Sequence, residues 1–466
     1  MEENFCSMNK GESKRSYLLY SAIAIILIVI IASIGFYVAT GKEKKSQEPE
    51  SPEQEPLYLE YGDPYAFNDI GYEPGIASDS MGNLFYTAHK NVDREDMDKL
   101  ETWEYLASWF YVSNDNGNSW YKPNGRWQYY LGDEGDIGVD SNDWVYYVDT
   151  YLRDINIHVF SNGGELEYST HYKTSIGLDD RPWVTAHGDG VVHYLGNNAV
   201  SIGGGRYWYY RSTNAGLTWS QGDVVPGNGW LHMDADRTSG YVYIVKEGDV
   251  APDQDITIHI SDDYGATWDW NNPVYIGHRD GASGPPGEGR WPVVAAGEDG
   301  TVWALWGDYE DAPDNGSRLF LARSLDYGQT WNVTDITPFQ GVLDYPWVAA
   351  GPDGSVGVIF YATQDLPVAD NSTWYVYGAM QKHADEVDME GIQLNFSKAD
   401  QNPVYEGDNY HALHDFFECC ISPDGALNIA YQYFVGPGNG DSILYYVRGE
   451  IPKEYEKDGG KESVGD

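Results

Sequence analysis

An octet of one pattern recurs four times along this chain and leaves few folds open to it. The copies are SNDNGNSW (Ser113–Trp120), STNAGLTW (Ser212–Trp219), SDDYGATW (Ser261–Trp268) and SLDYGQTW (Ser324–Trp331). At ordinary residue usage the shared pattern Ser-x-Asp/Asn-x-Gly-x-Ser/Thr-Trp arises in about one window per million. The copies start 99, 49 and 63 residues apart, and a degenerate one, Ser161-Asn-Gly-Gly-Glu-Leu, fills the first gap 48 residues after Ser113. The octet reads as a hairpin turn. Its acid or amide oxygen accepts from the turn's own amides, its glycine takes a positive φ, and its tryptophan drops between neighbouring strands. Aromatic, alternating runs (SWFYVS, RYWYYRS, ITIHIS, LFLARS) precede the four turns and read as strands.

A second repeat is a strand, a tight turn and a second strand, and it recurs seven times. The units start at Glu73, Glu134, Asp180, Trp230, Arg290, Tyr345 and Phe416. Turns such as GEDG, GPDG and SPDG carry the Asp-Gly step that matches hairpin twist. Over the body of the chain this makes one unit per roughly 56 residues, the period range of radial β arrays. The last unit lacks a fourth strand, and Leu57–Tyr61 (LYLEY) has the alternation to supply it. Pairing the two ends of the body would leave no open sheet edge.

The octet resembles the Asp-box, or BNR, repeat of sialidase-like β-propellers, over about Leu57 to Pro452. The box residues here are Ser113, Asp115, Gly117 and Trp120; Ser212, Asn214, Gly216 and Trp219; Ser261, Asp263, Gly265 and Trp268; and Ser324, Asp326, Gly328 and Trp331. The resemblance implies an all-β propeller in which each box joins the third and fourth strands of a blade, on the rim and away from any ligand. The hairpin count gives seven blades; the sialidases themselves have six, which stands as the alternative.

In such a ring the lead strand of each unit runs beside the axis. Aligning the units on their turns places Glu73, Glu134, Arg181, Trp230, Trp291, Tyr345 and Phe416 at the lead-strand entrances, preceded by Asp180, Arg290, Asp344 and others. Aromatic faces stack on sugars while charged groups hold hydroxyls or carboxylates, so Arg181, Trp230, Arg290, Trp291, Asp344 and Tyr345 form the expected ligand-binding set. Aromatics that simply plug the channel are the alternative. The sialidase resemblance implies three arginines, a Tyr–Glu pair and an aspartate, the first arginine in an F/Y-R-I-P motif. This chain reads Glu73-Pro74-Gly75-Ile76 there, and a glutamate repels an anionic sugar. Two-carboxylate glycoside hydrolysis asks less, and Glu73, Glu134 and Asp180 are its candidates. The leading expectation is binding of an extracellular glycan or peptide without chemistry; a surface glycoside hydrolase is second and a scaffold subunit of a surface assembly third.

No metal-ligand motif is present. Acidic loops at 92–104, 247–255 and 307–317 offer the hard oxygens that Ca2+ takes, but no spacing defines a coordination sphere. His411 and His414 beside Asp415 and Glu418 form a scattered cluster, and the adjacent Cys419 and Cys420 read as small buried residues, with a vicinal disulfide as the alternative. A balance of 28 basic to 73 acidic residues, net −45, excludes a nucleic-acid-binding face. Residues 17–40 hold an uncharged apolar run of 22 residues from Tyr17 to Val38, about 33 Å as a helix, long enough to cross a bilayer and longer than a signal peptide's core. Flanking charges tie at three each side; sequons at Asn315, Asn332, Asn371 and Asn395 point to an external body. The expected organisation is a cytoplasmic segment (1–16), a transmembrane helix (17–40), a proline-punctuated stalk (41–56), the propeller (57–452) and a polar tail (453–466) in a single-pass cell-membrane protein.

Overall fold

The computed structural model describes residues 57–452 except 91–107, 124–131, 133, 152–153, 175–178, 203–204, 228, 249–253, 280–290, 310–315 and 436–441. The expected cytoplasmic segment, membrane helix, stalk and tail lie outside the described residues. Among the described residues no helix is long and apolar enough to cross a membrane. What is described is almost wholly β.

Strands β1 (Glu60–Tyr61), β2 (Tyr65–Ser78), β3 (Leu84–Lys90) and β4 (Trp109–Ser113) open the body. Antiparallel four-stranded sheets follow in chain order. They are β5 (Glu134–Val139) to β6 (Val145–Tyr151), β7 (Asp154–Ser161) and β8 (Glu165–Lys173); then β9 (Asp179–His187), β10 (Val191–Ile202), β11 (Gly205–Ser212) and β12 (Asp223–Val225). Next come β13 (Leu231–Ala235), β14 (Val242–Glu247), β15 (Asp255–Ser261) and β16 (Val274–His278), then β17 (Val293–Ala296), β18 (Val302–Tyr309), β19 (Ser317–Ser324) and β20 (Asn332–Asp335). A five-stranded sheet holds β21 (Val342–Ala350), β22 (Val356–Thr363), β23 (Thr373–Gln381), β24 (Ser397–Lys398) and β25 (Tyr405–Glu406). Finally β26 (Cys419–Ile421), β27 (Leu427–Phe434) and β28 (Ser442–Glu450) join β1 and β2.

Each strand–turn–strand unit of the sequence forms an antiparallel pair, from β2–β3 to β26–β27. The lead strands β2, β5, β9, β13, β17, β21 and β26 touch one another in that order, and β26 returns to β2, so the circuit closes. Closure uses both chain ends. Glu60–Tyr61 pairs with β28 as the alternation of Leu57–Tyr61 implies, but most of the work falls to the first half of β2, where Tyr65, Ala66 and Ile70 face Tyr446, Tyr445 and Ile443. From Gly71 onward the same strand pairs with β3 instead. One continuous strand therefore locks the end of the body to its beginning.

The octets join third to fourth strands, as in β11–β12, β15–β16 and β19–β20. In SLDYGQTW the Ser324 hydroxyl donates to Asp326 Oδ1 at 2.8 Å and accepts from Gly328 N at 2.8 Å, Asp326 accepts from Thr330, and Trp331 Nε1 donates to Gly328 O at 2.9 Å. The other three repeat the serine bond to the glycine amide at 2.9–3.0 Å. Trp268 departs from the pattern and stacks on Trp270 at 4.8 Å. Residue and glycine together are left-handed, Tyr327 at φ 57° and Gly328 at 82°. A Cβ on Gly328 would stand 2.8 Å from Ile260, and on Gly216 3.1 Å from Ile157, each on the third strand of the preceding sheet. The turn thus ties its own sheet while its glycine lets the neighbour approach.

Candidate functional site

The structure separates two groups of polar residues along the axis, one at the lead-strand entrances and one deeper. At the entrance, Glu73 in β2 and Glu134 at the start of β5 converge on His89 in β3. His89 Nε2 lies 3.1 Å from Glu73 Oε2 and 3.6 Å from Glu134 Oε1. All three side chains are buried, and their ligating atoms lie within 4.8 Å of one another. A bulge makes this possible: pairing of β2 with β3 slips between Tyr72 and Gly75, where Glu73 is left-handed at φ 50°, and bulges re-aim the side chains they carry. Glu73 is held further by its amide on Gln432 Oε1 (2.8 Å) and its Oε1 accepting from Asp415 N (3.1 Å). The Tyr72 ring stacks on His89 at 4.4 Å and on His414 at 4.0 Å, fixing the imidazole plane.

The carboxylates expected from sequence as a hydrolytic pair therefore do meet, but an imidazole occupies the space between them. In a two-carboxylate mechanism the scissile bond lies there, and with His89 in place a glycosidic oxygen has no access to it. His89 itself was not among the expected site residues, because the alignment followed lead strands and His89 is on a second strand, opposite Tyr72 in register.

The remaining entrance residues are mostly wall. Trp291, Asp344 and Tyr345 are buried, and Trp230 alone among the expected binding aromatics keeps intermediate exposure. Trp230 packs on Trp291 at 5.2 Å, with the Arg206 guanidinium 4.8 Å over its ring. Tyr345 sits at a second bulge with φ 54°. Asp180 and Arg181 lie in β9 with side chains outside the described residues, and Arg290 falls outside them as well, as do parts of all three acidic loops read for Ca2+. The His411 side chain is likewise outside.

One step inward, Trp183 contacts His232 (4.9 Å), Trp347 (5.7 Å) and Phe416 (5.2 Å), and His232 contacts Trp347 (4.8 Å). Strands β9 and β21 are not neighbours in the circuit, so the Trp183–Trp347 contact spans the axis. The rings form a belt. Beyond it lies a cavity of about 420 Å³, lined from every lead strand and opening towards the hairpin turns. Its walls include His232, Trp347, Asp136, Asp234, Glu418 and Arg237. Among the described residues, none of the expected catalytic or binding ones lines it.

The carboxylates of this cavity stitch the ring. Lead strands of adjacent sheets share no ladder, so their inward amides need other acceptors. Asp136 Oδ2 accepts from Val184 N (2.6 Å), Asp234 Oδ2 from Ala296 N (2.9 Å), His232 Nδ1 from Val294 N (3.2 Å) and Glu418 Oε2 from Ile76 N (3.2 Å). At the rim Arg237 reaches across to the Ser78 carbonyl at 3.2 Å. Burial pushes Asp136 up to about 7, against the pull of its two amide bonds, and the charge of Asp234 adds to the rise. Burial likewise lifts Glu418 well above the carboxylate range, with Asp136 adding to it, and raises Asp234. Burial drives His232 down to about 3, leaving it neutral. Cys419 and Cys420 are free thiols; burial raises both, Cys420 to about 12, which makes them inert.

A scan against known family models found no match, and a search of curated proteins found no relative. Among solved structures, a fungal alcohol oxidase of the AA5 family, determined with copper, has a TM-score of 0.53 at 13% identity over 87% of this chain and 79% of that one. A PL25 ulvan lyase scores 0.46 at 9% identity over 83% and 96%. The NanB sialidase of Streptococcus pneumoniae scores 0.38 at 12% identity over 87% and 72%. The likeness to the alcohol oxidase is one of fold, and with the closed circuit of antiparallel sheets it makes this body a β-propeller.

Proposed function

We propose that the protein is a seven-bladed β-propeller, displayed outside the cell by the segment at 17–40, that binds a neutral carbohydrate in its axial cavity. The blade number rests on the closed order of lead strands, with β2 serving two blades. The external placement rests on the sequons, of which Asn332 and Asn371 are exposed. The observation that carries the ligand reading is the cavity itself. Its volume of about 420 Å³ suits a small sugar, and the rings of Trp347 and His232 are part of its lining. Burial shifts Asp136, Asp234 and Glu418 towards the protonated form, which both donates and accepts and so matches hydroxyls. An anionic ligand would meet seven acidic side chains, and a cationic one would meet Arg237 and, in Asp234 and Glu418, acids whose ionisation burial opposes. An uncharged polyol conflicts with neither.

The test is titration calorimetry of the full chain with neutral oligosaccharides, repeated with Trp347→Phe and Glu418→Gln. The stacking and hydroxyl contacts predict weakening of about tenfold in each variant. Absence of binding to any neutral sugar, or variants that bind as the parent does, overturns the reading. Sugar cleavage during the titration would also overturn the binding-only form and revive the hydrolase.

A further inference from the structure

At the other end of the lead strands, we infer that Glu73, His89 and Glu134 form a site for a divalent transition-metal ion of the Mn2+, Co2+ or Zn2+ class. This goes beyond the carbohydrate reading and does not depend on it, because none of the three residues lines the cavity. The geometry is that of ligands around a shared ion. Groups bonded to one metal at about 2.0–2.2 Å stand roughly 3–3.6 Å apart at the usual angles, and His89 Nε2 is 3.1 Å and 3.6 Å from the two carboxylates. The third separation is at most 4.8 Å, and two ligands on opposite sides of such an ion stand ~4.2 Å apart, so a shift of about half an ångström at most brings it within reach. Three separate strands supply the ligands, so no single loop has to fold around the metal.

The surroundings are those that orient metal ligands. Glu73 uses one oxygen on the Asp415 amide and turns the other towards His89. Tyr72 clamps the imidazole face and is itself backed by His414. One imidazole and two carboxylates favour a borderline first-row ion; Ca2+, which takes six to eight oxygens, has no use for the nitrogen. The inference therefore moves metal binding away from the acidic loops and to the axis.

The experiment is to strip the purified full chain with a chelator, dialyse it, and titrate Co2+ and Mn2+ by calorimetry, following the Co2+ absorption bands. One equivalent is expected, with Ca2+ failing to displace it. His89→Gln and Glu134→Gln should weaken it more than about 100-fold, beyond what outer partners carry, while thermal melts report whether each variant folds. If a variant does not fold, X-ray absorption of the Co2+-loaded parent decides: an imidazole ligand supports the site and its absence overturns it. A parent that binds no more tightly than folded variants, or that prefers Ca2+, also overturns it.

Discussion

As the pH rises from 4 to 8 the acids of the axial cavity weaken this propeller, while the buried histidines held neutral, His158, His187, His193, His232 and His259, strengthen it up to about pH 6.5, because their unfolded imidazoles bind protons below that value. Unfolded, Asp136 ionises near 3.8; folded, its burial beside Asp234 holds the proton until about 7. A carboxyl whose folded value is raised stabilises the fold fully below the unfolded value, and that contribution is lost as the pH climbs through the folded one. At about 1.36 kcal/mol per pH unit the interval amounts to about 4 kcal/mol, lost between pH 4 and 7. Glu418, lifted well above its ordinary value by burial, adds a loss of the same sign. The octet acids work the other way: Asp115 and Asp326 are held below the usual range by serine and threonine bonds, so their stabilisation fades only as the pH falls towards that range. They are open to water and weigh little. Denaturant midpoints at pH 5, 6, 7 and 8, read by tryptophan fluorescence, should therefore fall only above about pH 6.5, and across the whole range the parent should lose ground to variants that lack one of these acids. Glu418→Gln keeps an oxygen for the Ile76 amide and cannot ionise, so its midpoint should flatten above pH 6. Asp136→Asn gives up one of two amide acceptors, costing about 1–3 kcal/mol at pH 5, yet should lose most of the slope. A parent midpoint that rises between pH 7 and 8, or variants with the parent's slope, would refute the argument.

Gly328→Ala combines a φ of 82° with a Cβ 2.8 Å from Ile260, and should lower stability by about 1–3 kcal/mol in a thermal melt. Ser324→Ala leaves the Gly328 amide and Asp326 short of a partner, with an expected loss of about 1–2 kcal/mol by the same measurement. Expressed through a secretory route, the chain should carry glycans at Asn332 and Asn371, seen as a mobility shift on enzymatic deglycosylation; an unmodified protein would argue against external display.

Much of the fold was legible because its signals are local. Alternation, Asp-Gly turns and the octet each occupy under ten residues, and all recur, so errors in one copy are corrected by the others. Closure was only half legible. The break at Gly62-Asp63-Pro64 reads as the end of a strand, whereas the chain resumes at Tyr65 and spends half of β2 on β28 before turning to β3. That switch depends on Gly71, where a Cβ would sit 2.4 Å from the His89 carbonyl, a contact between residues brought together only by the finished sheet.

The site was harder, for a reason that lies in the ring. Aligning the hairpins found the entrance residues, and two of them, Glu73 and Glu134, do meet. The cavity belongs to the same inward faces further along: Asp136 is two residues beyond Glu134, and His232 and Asp234 are two and four beyond Trp230. Period-two alternation would have reached them had the alignment been carried past the first position. What alternation cannot supply is why acids should be there. A lead strand pairs on one side only, and its other edge faces a neighbour across which no ladder forms, so its amides take side-chain acceptors. A propeller built this way carries buried carboxyls on its axis for structural reasons before any ligand arrives. Such a pocket, with buried acids beside aromatic rings, is then available to a polyhydroxyl ligand without further design, and disturbing the acids disturbs the ring and the pocket together.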